Sequence, residues 1–203
     1  MKKIVIALSL AAMGLTATQA MAQQSPWQVR ARAVNISPDN KSDAIAGLAA
    51  ADAIHVSNKT IAEVDITYFV TPNWSAELIL TYPQKHDVTL NGTNIGTFKH
   101  LPPTLTAQYH FAPDAQVSPY LGAGVNYTRI SDVNLLKGAA DLDNNSFGFA
   151  LQAGVDFKLD KNWSLNLDVK KVQIRSDVTL GGAKISAVKV DPWLVGVGVG
   201  YRF

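Results

Sequence analysis

The 203-residue sequence contains no cysteine. Disulfides, thiolate metal sites and thiol nucleophiles are excluded, so a secreted chain of this size must be held by its core or by a hydrogen-bond ladder. It also lacks, outside the N-terminus, any apolar run approaching the roughly 18 residues of a membrane-spanning helix. The run from Ile4 to Leu15 follows Lys2 and Lys3 and is closed by Ala20-Met21-Ala22, a small-x-small cleavage pattern. It is shorter than a span and ends in a processing signal. The order predicts a signal peptide over 1–22 and one mature domain over 23–203.

Charge of one sign is lacking as well. Without Lys2 and Lys3 the 18 basic residues fall to 16, against 16 acidic ones, and no charge run is present. The balance offers no electrostatic argument for a nucleic-acid partner. With no spanning helix in the mature chain, a place in a membrane requires a closed barrel.

What the chain does have is alternation. From Trp27 one parity reads Trp27, Val29, Ala31, Ala33 and the other Gln28, Arg30, Arg32. This is period two, a strand with one apolar face. Seven further segments repeat it: around Val64 and Tyr68, Trp74 and Leu80, Leu105 and Phe111, Leu121 and Tyr127, Phe147 and Phe157, Trp163 and Val169, and Trp193 and Phe203. The apolar parity holds the bulky residues, whereas the other is rich in Gly, Ala, Ser and Thr with scattered charges. An eight-stranded barrel is only just wide enough for side chains, so small residues inside and bulky ones outside suit closure with lipid outside. The fold class is therefore all-β, an eight-stranded antiparallel transmembrane β-barrel.

The connections alternate in length, as they do in such barrels. Thr71-Pro72-Asn73, Ala112-Pro113-Asp114-Ala115 and Asp160-Lys161-Asn162 carry turn chemistry and are expected on the periplasmic side. Residues 37–60, 83–99, 131–145 and 176–187 are expected as long extracellular loops. Aromatic residues gather in two bands: Trp27, Trp74, Phe111, Phe157, Trp163, Tyr201 and Phe203 near one set of strand ends, and Tyr82, Tyr127, Phe147 and Trp193 near the other.

Four segments, in order, resemble the OmpW family of small outer-membrane barrels. They are His100-Leu101-Pro102-Pro103-Thr104-Leu105 with Ala107-Gln108-Tyr109, then Pro119-Tyr120-Leu121-Gly122-Ala123-Gly124-Val125-Asn126-Tyr127-Thr128, then Asp191-Pro192-Trp193, and the closing Gly200-Tyr201-Arg202-Phe203. The resemblance implies a monomeric barrel of the Gram-negative outer membrane, in contact with its lipids, with a narrow lumen that admits small hydrophobic or amphipathic molecules and releases them sideways. It also implies a receptor role for toxins. It implies an insertion signal at Val199, Tyr201 and Phe203, read by the outer-membrane assembly machinery. In the family the lumen is narrowed by apolar side chains that fall at Ile79 and Lys170 here. The lysine departs from that pattern and puts a wholly apolar passage in doubt.

Inward charges are nearly balanced, and buried charges must be paired or hydrated. A polar plug at the periplasmic end is expected from Arg30, Glu77, Gln108, Asp156, Asn166 and Arg202, below an apolar pocket. The competing reading is a polar stretch that conducts water and ions. Residues 44–54, unusually apolar for a loop, read as a lid for greasy ligands or a short helix on the rim. His55, His86, His100 and His110 are too scattered for a metal motif, and Asp141 to Asn145 lacks the Gly and Glu of a calcium loop. No cofactor and no catalytic constellation is indicated, so an enzyme is not expected. A transport barrel and a sealed receptor barrel are the two readings carried forward.

Overall fold

The computed structural model describes residues 24–203, so the signal peptide expected over 1–22 lies outside the described residues. Eight barrel strands follow in chain order: β1 (Trp27–Ser37), β2 (Lys59–Phe69), β3 (Trp74–Leu80), β4 (Thr104–His110), β5 (Val117–Leu135), β6 (Asn145–Lys158), β7 (Trp163–Val172) and β8 (Trp193–Arg202). Each pairs antiparallel with the next, and β1 pairs with β8, which closes the barrel and leaves no free edge between its staves. At one end the turns are short. Asp160 Oδ1 accepts the backbone N–H of Asn162 and of Trp163 at 2.8 and 2.7 Å, and Thr71 Oγ1 accepts that of Trp74 at 3.0 Å.

Burial alternates along every stave, and it follows the parity in the expected inverted sense: the bulky apolar side chains point out and the polar ones in. Aromatic rings pair edge-on around the short-turn end, Trp27 with Tyr68, Trp74 with Tyr109 and Trp163 with Tyr201. Tyr82, Tyr127, Phe147 and Trp193 are exposed towards the other end. The register also explains the glycines of β8. Arg30 lies opposite Gly200 and Arg32 opposite Gly198, so each long inward side chain has a neighbour without one.

Two of the four long links form hairpins, a third is largely taken up by the extension of β5 and a short strand, and 37–60 remains mostly irregular. Gln84–Leu90 and Thr93–Leu101 form a hairpin whose turn, Asn91-Gly92, has both residues at positive φ, and β5 runs on for 19 residues to pair with it. Arg175–Leu180 and Ala183–Lys189 form a second hairpin around Gly181-Gly182, again both at positive φ. Short strands Ile54–Val56 and Ala140–Leu142 dock on these hairpins. The barrel wall thus continues beyond the outer aromatic band. Residues 44–54 form no helix. A tight turn joins Ile45 and Ala49 through backbone bonds of 2.9 and 3.0 Å, with Ile45 and Ile54 directed inward.

Candidate functional site: a charged floor under an apolar chamber

The interior divides along the barrel axis. In the half nearer the short turns, Arg30 donates from Nη1 to Thr67 Oγ1 at 2.8 Å, sits 3.3 Å from Asp65 and 3.2 Å from Glu77, and meets Asp156 through Nη2 at 2.8 Å. Arg32 contacts Asp65 and Glu77 directly, with Asp168 at 3.1 Å and Glu63 at 3.6 Å. Lys170 Nζ lies 2.7 Å from Glu63 and 2.9 Å from Asp168. Gln108 and Gln152 donate to Glu77 Oε2 at 2.7 and 2.8 Å, and Asn166 donates to Asp156 at 2.8 Å. All are buried. Taking ions out of water costs several kcal/mol each, so only this density of mutual contacts makes the arrangement tenable.

Of the six residues assigned to the plug, Arg30, Glu77, Gln108, Asp156 and Asn166 converge in one network. Arg202 does not. Its Nε donates to the Ser25 carbonyl at 2.9 Å and its guanidinium lies over the Phe69 ring at 3.9 Å, half-buried at the periplasmic mouth below the others. The network reaches further up the axis than the periplasmic end, because Lys170, Glu63 and Asp168 extend it. Tyr120 is the member that the sequence did not reveal. Its hydroxyl donates to Asp168 at 2.6 Å, and a Cβ on Gly154 would stand 2.3 Å from that oxygen. Gly154 is the gap that the ring fills.

Lys170 is therefore no wall of an open channel: it is the upper edge of the floor. Directly above lies a space lined by Ile36, Ile61, Ile79, Leu194 and Pro102, with Glu63 and Lys170 at its base. Ile79 is buried and faces this space. Beyond it, with His100 and Ile174 lining both, lies an apolar chamber in which about 50 Å³ admits the centre of a water molecule, or about 720 Å³ when all space between the atoms and the part open to solvent are counted. The walls are close-set. Every side chain lining the chamber is apolar except His100 and Ser176.

The two hairpins wall the chamber in the same way. Asp87-Val88-Thr89-Leu90-Asn91-Gly92-Thr93-Asn94-Ile95 and Asp177-Val178-Thr179-Leu180-Gly181-Gly182-Ala183-Lys184-Ile185 follow one pattern, 90 positions apart. Each shifts register after its valine, and Val88, Ile95, Val178 and Ile185 all face the cavity. A repeated turn sequence thus delivers equivalent apolar groups from two sides of the mouth.

The ladder between β3 and β4 is interrupted beside the floor. The β3–β4 ladder ends with Ile79 opposite Thr104, and pairing resumes with Gln84 opposite His100. Between them lie Pro83, Pro102 and Pro103, which have no N–H to donate.

A closed eight-stranded barrel with lipid-compatible aromatic bands outside and this interior defines a transmembrane outer-membrane β-barrel. The chain matches the OmpW family over residues 23–203 and belongs to that family. It is 42% identical over 186 residues to the uncharacterized outer-membrane protein y4mB of Sinorhizobium fredii, across 88% of this chain and 80% of that one. It is 30% identical over 203 residues to the dibenzothiophene metabolism operon protein PahQ of Pseudomonas aeruginosa, across 92% and 93%. Its fold is similar to the crystal structure of OprG from Pseudomonas aeruginosa, with a TM-score of 0.77, 26% identity, and 89% and 97% of the two chains covered. The protein is a multi-strand barrel of the bacterial outer membrane.

Proposed function

We propose that the barrel is a passive route by which small hydrophobic or amphipathic molecules pass from outside the cell into the outer membrane. The observation that carries this reading is the chamber: an apolar cavity at the extracellular end above a charged floor. Apolar surface exposed to water inside a funnel attracts an apolar guest, at about 25 cal/mol per Å² of surface that both lose to water. The floor then stops it, because entering the network would part buried charges that an apolar guest cannot pair. The open way is sideways, through the interrupted ladder at Pro83, Pro102 and Pro103, beside Ile79. The similarity to PahQ, a dibenzothiophene metabolism operon protein, is consistent with fused-ring aromatic compounds as one class of guest.

The filled lower half favours a second reading, a sealed barrel whose rim binds toxins or other partners. Uptake of naphthalene into vesicles with and without the protein separates the two. Protein-dependent uptake that Ile79→Trp blocks supports the passage. No uptake from a folded, inserted barrel sinks it and leaves the receptor reading.

A further inference from the structure

We propose that His100 selects the guest: it is the specificity-determining residue for hydrophobic molecules that carry a single hydrogen-bonding group, such as a phenol or a fatty alcohol. The inference rests on the chamber being a passage. His100 stands where the outer chamber meets the space above the floor, and its ring lines both. It is 4% exposed, and with Ser176 it is one of the two polar side chains that line the otherwise apolar chamber.

The ring is also held in place. It stacks on His86 with centroids 4.8 Å apart and planes 18° apart. His86 is anchored in turn, since its Nδ1 lies 2.8 Å from the Ser57 carbonyl and must carry the proton of that bond. Burial, with His86 and Lys59 close by, holds the His100 imidazole down to about 3, so the ring is neutral at ordinary pH. A neutral imidazole offers one donor and one acceptor. A hydroxyl fits either, whereas an alkane or arene satisfies neither. The preferred guest is an uncharged apolar body with one hydroxyl or carbonyl.

The probes are 1-naphthol and naphthalene, nearly equal in shape and different by one hydroxyl. Their binding to the full folded barrel in detergent is read from their fluorescence, with side-chain nitrogen resonances of His100 as a second readout. The wild-type protein is expected to hold 1-naphthol about tenfold more tightly than naphthalene, the worth of one hydrogen bond in a desolvated site, and only 1-naphthol should shift the His100 resonances. His100→Phe should bind the two equally without loss of naphthalene binding, and His100→Gln should restore most of the preference. Migration of unheated samples on gels confirms that each variant is folded. If the wild type binds both compounds alike, or His100→Phe keeps the preference, the selector role is overturned while the passage stands. If the wild type binds neither, the passage falls and the inference with it.

Discussion

Replacing Arg32 with methionine tests whether the floor is a mutually dependent network or merely filler. The Arg32 guanidinium contacts four carboxylates, those of Glu63, Asp65, Glu77 and Asp168. Without it, Arg30 and Lys170 are left to face five buried carboxylates, these four and Asp156. Glu63 and Asp168 keep Lys170, and Glu77 keeps Gln108 and Gln152, but Asp65 keeps only Arg30 at 3.3 Å and the Thr67 hydroxyl. Removing one partner of a buried ion pair costs about 3–5 kcal/mol, and the remaining contacts place this case near the lower end, about 3–4 kcal/mol. With a urea dependence of about 2 kcal/mol per molar, the unfolding midpoint of the barrel in vesicles should fall by roughly 1.5–2 M. Adding Asp65→Asn and Glu77→Gln removes the stranded charges and should recover at least half of the loss. A midpoint shift under about 0.5 M, or a further loss in the triple variant, would refute the network argument.

Three further outcomes are expected. A Cβ at position 198 would come within 2.1 Å of the Ala31 carbonyl oxygen, whereas at 196 its nearest neighbour is Val34 Cγ2 at 3.1 Å; Gly198→Ala should therefore destabilise by about 1–3 kcal/mol and Gly196→Ala by much less, as urea unfolding would measure. The His100 imidazole is held near 3 in the fold and returns to about 6.5 when the chain opens, so the open form binds the extra proton between these values and stability is lost as pH falls below about 6.5. At pH 5 the loss is about 2 kcal/mol, so the protection factors of the amides in 84–101, taken against the slower intrinsic exchange at that pH, should fall about 30-fold relative to pH 7, while a hairpin equally protected at both would contradict the burial of a neutral ring. Phe203→Ser should lower the amount of barrel inserted in cells yet leave refolding of the purified chain into vesicles intact, because the Phe203 ring packs edge-on against Tyr201 alone at 5.1 Å and is otherwise exposed.

The membrane-embedded wall was legible because a barrel in lipid imposes one rule on every stave. Trp27, Val29 and Ala31 face out and Gln28, Arg30 and Arg32 face in for the same reason that Leu165 and Leu167 oppose Asn166 and Asp168. Above the floor that rule changes. Val34, Ile36, Ile61 and Leu194 occupy the inward parity, so the inside becomes apolar while the strand continues. A reading that equates apolar with outside ends the strands there and hands the remainder to loops. Asn91-Gly92 and the repeated Asp-Val-Thr-Leu were the signals available against that conclusion. Tyr120 was out of reach for a different reason, since its place depends on Gly154 lying opposite, and only the β5–β6 register brings the two together.

The histidine pair shows how far register outruns pattern. Counted back from an Asn91-Gly92 turn, an unbroken ladder would pair Val88 with Ile95 and His86 with Thr97, which turns His100 to the opposite face from His86. The bulge after Val88 adds one residue on the return strand, so Val88 faces Gly96, His86 faces Phe98 and Gln84 faces His100. One residue of slip exchanges the two faces of a strand. Gly96 makes the slip possible: its φ of 140° is one that L side chains rarely adopt, a Cβ there would stand 1.9 Å from the Asn134 carbonyl oxygen, and its N–H is taken by Asn94 Oδ1 at 2.9 Å. The polar group in the apolar chamber is thus set by a glycine four residues away, and a substitution at Gly96 should expel the His100 ring from the chamber without touching a single lining residue.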